Sequence, residues 1–115
     1  MAVHEFCILE QIDQNKDYAE EYKGPGFYEA AVHDDIVEKY IPLFSQISTY
    51  YHSEKQPNKG LCYCGITLIP PESLRAFLEI WEDIQKKEKS PQIQSLLLLI
   101  QKAKQKGAYL IHYGI

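Results

Sequence analysis

Three cysteines and four histidines are the residues of this chain with the most evident capacity for chemistry. Cys62 and Cys64 flank Tyr63, and on a strand alternate side chains share a face, so two thiolates there could share a metal ion or form a redox couple. The spacing argues against both. Zinc sites use gaps of two residues or more and need two further ligands, and the remaining candidates, Cys7, His4, His33, His52 and His112, are scattered. Dithiols of the thioredoxin kind have two residues between the cysteines and sit at a helix start. The cysteines therefore read as small apolar residues of the core, with no metal and no cofactor expected. His112 lies in an apolar segment, where it could serve Cys62 or Cys64 as the base of a thiol nucleophile. The competing reading makes it an interior or edge histidine bonded to backbone or to a tyrosine.

No phosphate-cradling glycine loop, hydrolase elbow or metalloprotease helix occurs in the sequence, and no catalytic residue is assigned. What stands out instead is composition around loops. The chain has nine tyrosines, and Tyr18, Tyr22, Tyr28, Tyr50 and Tyr51 lie in or beside segments that also carry Glu10, Asp13, Asp17, Glu20, Glu21, Glu29 and Glu54. Tyrosine beside carboxylate suits the binding of a basic protein, because aromatic rings give desolvated anchors and the acidic field speeds encounter and fixes orientation. The same tyrosines would also serve simply to cover sheet edges and helix joins.

The elements that must position these residues follow from periodicity and punctuation. Residues 3–11 read as a first strand, 12–26 as a polar loop broken by Gly24-Pro25-Gly26, and 27–33 as a second strand. Asp34 or Asp35 then caps a helix starting near residue 36, its apolar positions Ile36, Val37, Tyr40, Ile41, Phe44 and Ile47 interrupted by Pro42, which must kink or split it. Residues 52–60 form a polar loop. The uncharged run 61–69 reads as a strand buried on both faces at the sheet centre. Pro70-Pro71 opens a helix with a stripe of Leu74, Phe77, Leu78, Trp81 and Ile84. Ser90 caps another helix that runs to Gly107, and residues 109–115 form a last strand. The expected fold is α+β, a single domain over residues 1–115, with about three helices packed on a small mixed β-sheet.

Size and charge agree with one soluble domain. The chain has 115 residues, 45% hydrophobic and 24% charged, with a formal charge of −4. Residues 1–54 hold 11 acids against Lys16, Lys23 and Lys39, a net of −8, while residues 55–115 hold 5 acids and 9 bases, a net of +4. An acidic chain without a basic block has little means of holding phosphate backbone, so direct binding of nucleic acid is not expected. The basic clusters near residues 86–89 and 102–106 sit toward helix ends, where cations offset the dipole. The odd cysteine count and the absence of a basic, apolar leader point to the cytoplasm, and no run is long enough for a membrane span.

Gly65-Ile66-Thr67-Leu68-Ile69-Pro70-Pro71-Glu72-Ser73-Leu74 and the final Ile111-His112-Tyr113-Gly114-Ile115 resemble the small immunity proteins encoded beside bacterial polymorphic toxins, of which contact-dependent growth inhibition systems are an example. The resemblance implies a cytoplasmic, non-catalytic inhibitor that binds one cognate toxin domain, often a nuclease, and blocks its active site. It carries over no functional residue, since the matching segments would be scaffold. Together with the acidic, tyrosine-rich first half, it leads to the expectation of an immunity protein that occludes the basic substrate site of a toxin. The expected contacts are Asp13, Asp17, Tyr18, Glu20, Glu21, Tyr22 and Tyr28. Two other readings stay open: a small thiol enzyme using Cys62 or Cys64 with His112, and a non-catalytic subunit of a larger assembly.

Overall fold

The apolar run near the amino terminus forms β1 (Val3–Leu9) in the computed structural model, which describes residues 2–18 and 29–115. It is followed by β2 (Ala30–His33), β3 (Ser48–Tyr51), β4 (Pro57–Lys59), β5 (Ile66–Ile69) and β6 (Tyr109–Tyr113). These six strands make one sheet in the order β2-β1-β6-β5-β3-β4. The fold class is α+β, as the element pattern predicts. Every described pairing is antiparallel, so the sheet is not the mixed one expected. The carboxyl-terminal strand runs between β1 and β5, pairing Phe6 with His112 on one side and Thr67 with His112 on the other.

Among the described residues three α-helices, α1 (Asp34–Tyr40), α2 (Leu74–Glu88) and α3 (Pro91–Lys106), pack with the sheet. Pro42 splits the first helix as expected: α1 ends at Tyr40 and a 3-10 turn continues over Ile41–Phe44. Its start differs from expectation. Asp34 and Asp35 lie within the first turn, and His33 is the cap, its Nδ1 accepting from Asp35 N–H at 3.0 Å. Ser90 caps α3 by accepting from Gln92 and Ile93 N–H, and Gly107 ends it at φ 62°, a left-handed conformation that costs glycine little. A 3-10 turn over Pro71–Ser73 leads into α2.

Alternation along the strands divides the core in two. On the helix side, Phe6, Val32, Ile69 and Leu110 meet Val37, Phe44, Phe77, Trp81, Ile84, Ile93, Leu96 and Ile100, all buried. The rings of Phe6, Phe44, Phe77 and Trp81 lie 5.2 to 6.4 Å apart, at tilted or edge-on angles that suit aromatic quadrupoles. The other face of the sheet carries a smaller cluster of Ile66, Leu68, Ile111, Tyr113 and Tyr18, bordered by the half-buried Cys7, Leu9, Ile12, Tyr50 and Tyr109. Among the described residues no helix is long and apolar enough to cross a membrane.

Two expectations about strands are corrected. The run 61–69 is a strand only from Ile66, because residues 62–65 form a turn closed by Gly65 N–H donating to Cys62 O at 3.3 Å. The segment 48–60, expected to hold a polar loop over 52–60, contains the hairpin of β3 and β4 at the sheet edge.

Candidate partner-binding site

The loop expected to bind a partner is partly folded onto the second face of the sheet. Tyr18 is buried at 3% exposure, packed among Ile66, Leu68, Ile111 and Tyr113. Its N–H donates to His52 O at 2.7 Å, and its hydroxyl accepts from Asp13 N–H at 2.8 Å. Tyr18 is thus a core residue of this face rather than the exposed anchor that its place in a polar loop suggests. Asp13 and Asp17 are exposed, and Asp13 Oδ1 accepts from Asn15 N–H at 2.9 Å in a local turn. Lys16 Nζ stands 5.2 Å from the centre of the Tyr18 ring. Glu20, Glu21, Tyr22 and Tyr28 lie outside the described residues.

The second face offers a different acid and tyrosine cluster. An open cleft of about 470 Å³ is lined by Ser48, Thr49 and Tyr50 of β3, Pro57, Asn58 and Lys59 of β4, and Pro70 and Glu72 beyond β5. The pleat places Tyr50 on the same face as Tyr109 of β6, and both rings are half-buried against the smaller core cluster. The Tyr109 hydroxyl donates to Glu54, which follows β3. Burial, that hydrogen bond, and the nearby charges of Glu54 and Glu72 push the Tyr109 phenol far above its ordinary value, so it stays a neutral donor. Glu72 is exposed at the cleft, and Lys59 lines the same cleft. Two half-buried phenol rings beside two carboxylates can hold a cationic side chain, ring faces attracting the charge and carboxylates pairing with it. Composition places Tyr50 and Glu54 in the acidic, tyrosine-rich half, and only the strand order brings them near Tyr109 and Glu72.

The cysteines are not the buried pair on a strand that the spacing suggests. Cys62 and Cys64 lie in the turn before β5, Cys64 exposed and Cys62 half-buried, and Cys7 is half-buried on β1. His112 is fully buried, as an interior histidine should be, but its partners are another histidine and a threonine. Its Nε2 is 2.8 Å from His4 Nδ1 and its Nδ1 is 3.1 Å from Thr67 Oγ1, so both ring nitrogens are engaged and neither is directed at a thiol. His4 Nε2 in turn lies 2.9 Å from Asp34 Oδ1, and the Tyr63 hydroxyl donates to both oxygens of Asp34.

One set of proton positions satisfies this whole chain. Cys62 N–H donates to Thr67 Oγ1, whose hydroxyl donates to His112 Nδ1. His112 Nε2–H donates to His4 Nδ1, and His4 Nε2–H donates to the Asp34 carboxylate. Both imidazoles are then neutral. Burial lowers the pKa of His4 and drives that of His112 well down, and a proton placed on His4 would repel one on His112 as well. Hydrogen bonds from Tyr63 and His4 hold the Asp34 carboxyl below its ordinary value, while the bond to Asp34 pushes the Tyr63 phenol up to about 12.

Set against known proteins, the chain matches no family model, no curated protein and no solved structure.

Proposed function

We propose that this protein is an immunity-type inhibitor, a binding module that acts in the cytoplasm by occupying a basic site on a partner such as a toxin domain. The reading rests on one observation: Tyr50 and Tyr109 stand half-buried on the face of the sheet away from the main helix-side core, with the carboxylates of Glu54 and Glu72 acting on Tyr109 and an open cleft lined by Tyr50 and Glu72. Exposed Asp13 and Asp17 add negative potential from the amino-terminal half, whose formal charge is −8. The partner would place a lysine or arginine over the tyrosines, and inhibition would follow from occlusion of its anion-binding groove, without chemistry by this chain. The resemblance of residues 65–74 and 111–115 to immunity proteins supports the same reading; these segments supply β5, the start of α2 and the end of β6, the frame under the site.

Affinity capture of the tagged protein from its native host at low salt, with release at high salt, tests the proposal. A stoichiometric basic partner is expected, one that arrests growth when expressed alone and no longer does so when this chain is co-expressed. Recovery of no salt-released partner, or of one that remains toxic in the presence of this chain, would overturn it.

A further inference from the structure

The turn before β5 carries a pair of thiols that partner binding does not use. Cys64 is exposed and Cys62 is half-buried. Even in an extended chain alternate Cα atoms are only about 6.6 Å apart, inside the roughly 4.4–6.8 Å that a disulfide spans, and the Cys62–Gly65 turn draws them closer. The missing side chain of Gly65 leaves a space on which two groups converge: a Cβ there would stand 2.7 Å from Cys62 Sγ and 2.8 Å from His52 Nε2. His52 is fixed where it is by its backbone. It holds φ 64°, uncommon for a residue with a side chain, while its N–H donates to Ile66 O at 3.0 Å and its carbonyl accepts from Tyr18 N–H at 2.7 Å.

We propose that Cys64 and Cys62 form a peroxide-oxidised dithiol, with Cys64 the thiol that meets a hydroperoxide, Cys62 the resolving thiol, and His52 the base for the second step. The Cys64 thiolate attacks one oxygen of the hydroperoxide and the O–O bond breaks. Cys64 becomes a sulfenic acid, and the other oxygen leaves as alkoxide and takes up the proton that the thiol released. Cys62 then gives its proton to His52 Nε2 and its sulfur attacks that of Cys64. The S–S bond forms, hydroxide leaves, and the proton returns to it as water. Two thiols and one hydroperoxide yield one disulfide, one alcohol and one water. The order of roles follows from exposure, and burial together with the neighbouring Cys64 pushes the Cys62 thiol up, so it waits protonated until His52 accepts the proton.

Hydrogen peroxide added to the full chain carrying Cys7→Ser, with dimedone trapping and peptide mass mapping, reads each step. The peptide holding both cysteines should lose two hydrogens. Cys62→Ser should leave a dimedone adduct on Cys64, and Cys64→Ser should leave Cys62 unmodified over the same time. His52→Asn, a side chain that tolerates positive φ, should form the sulfenic acid at the unchanged rate but close the disulfide roughly a hundredfold more slowly, the loss expected for a positioned base. Mapping the chain with Cys7 in place gives the same readout without that substitution. Oxidation of Cys64 to sulfinic acid with no disulfide, a first adduct on Cys62, or His52→Asn closing at the original rate would each overturn the proposal.

Discussion

The ordered protons between Cys62 and Asp34 make the buried histidines sensitive to acid. His4 and His112 are neutral in the fold, with pKa values below the ordinary 6.5, whereas in the unfolded chain both take up protons as pH falls through that value. The unfolded state then binds more protons, so the stability they contribute is fully present above pH 6.5 and is lost as pH falls below it, by up to about 1.4 kcal/mol per pH unit for each histidine. Urea midpoints measured from pH 7.5 to 5 should drop accordingly. His112→Gln, which keeps a donor and an acceptor, should flatten that decline; an equally steep decline would show that the acid sensitivity lies elsewhere. Trp81 presents the opposite case, a buried ring whose Nε1–H has no acceptor among the described residues. Trp81→Ala should cost about 3–5 kcal/mol by leaving a cavity, and Trp81→Phe, which keeps an aromatic ring and removes the unpaired donor, less than half of that by chemical denaturation. At this scale the apolar neighbours of His112 mark it as an interior or edge histidine, and the structure decides for the interior. Its partner was not legible, since His4 lies at the other end of the chain and only the insertion of β6 beside β1 brings the two rings into contact.

Elements were legible where their signals are local. Ser90-Pro91 and Gly107 delimit α3 through hydrogen bonds and φ values that concern only neighbouring residues, and the stripe from Leu74 to Ile84 is buried throughout. Ser90→Ala should destabilise the protein by about 1 kcal/mol, and Gly107→Ala by about 1–2 kcal/mol because alanine is strained in the left-handed region. Thermal unfolding of the two variants checks both, and a neutral Gly107→Ala would mean that the chain leaves α3 by another route in solution. The β3–β4 hairpin was missed for a physical reason: Ser48–Tyr51 and Pro57–Lys59 are largely polar, with little of the apolar alternation that marks a half-buried strand. The run 61–69 resembles one strand in sequence because it lacks charge. Its first half is a turn whose N–H and C=O groups are taken by Thr67 Oγ1, Gly65 N–H and, at Tyr63, by Ile115 N–H, bonds that an uncharged sequence does not reveal.

The whole molecule turns one face of its sheet to the helices and leaves tyrosine rings half-covered on the other, and the partner-binding proposal depends on that asymmetry. Composition alone showed an acidic, tyrosine-rich first half, but a face is a property of strand order. Tyr50 and Tyr109 are far apart in sequence, and they share a surface because β3, β5 and β6 are consecutive in the sheet. Charge and ring make separable contributions to binding. Long-range attraction acts on encounter, so Glu72→Lys combined with Glu54→Gln should slow association about tenfold at low ionic strength, an effect that shrinks as salt screens the field. Contact acts on residence. Tyr50→Ala should therefore raise the dissociation rate and leave association nearly unchanged at every salt concentration, as expected when a half-buried aromatic anchor is removed. Surface plasmon resonance with the captured partner distinguishes the two. If both variants bind as the original chain does while charge reversal of Asp13 and Asp17 slows association, the contact surface lies at the amino-terminal loop and the cleft is not part of it.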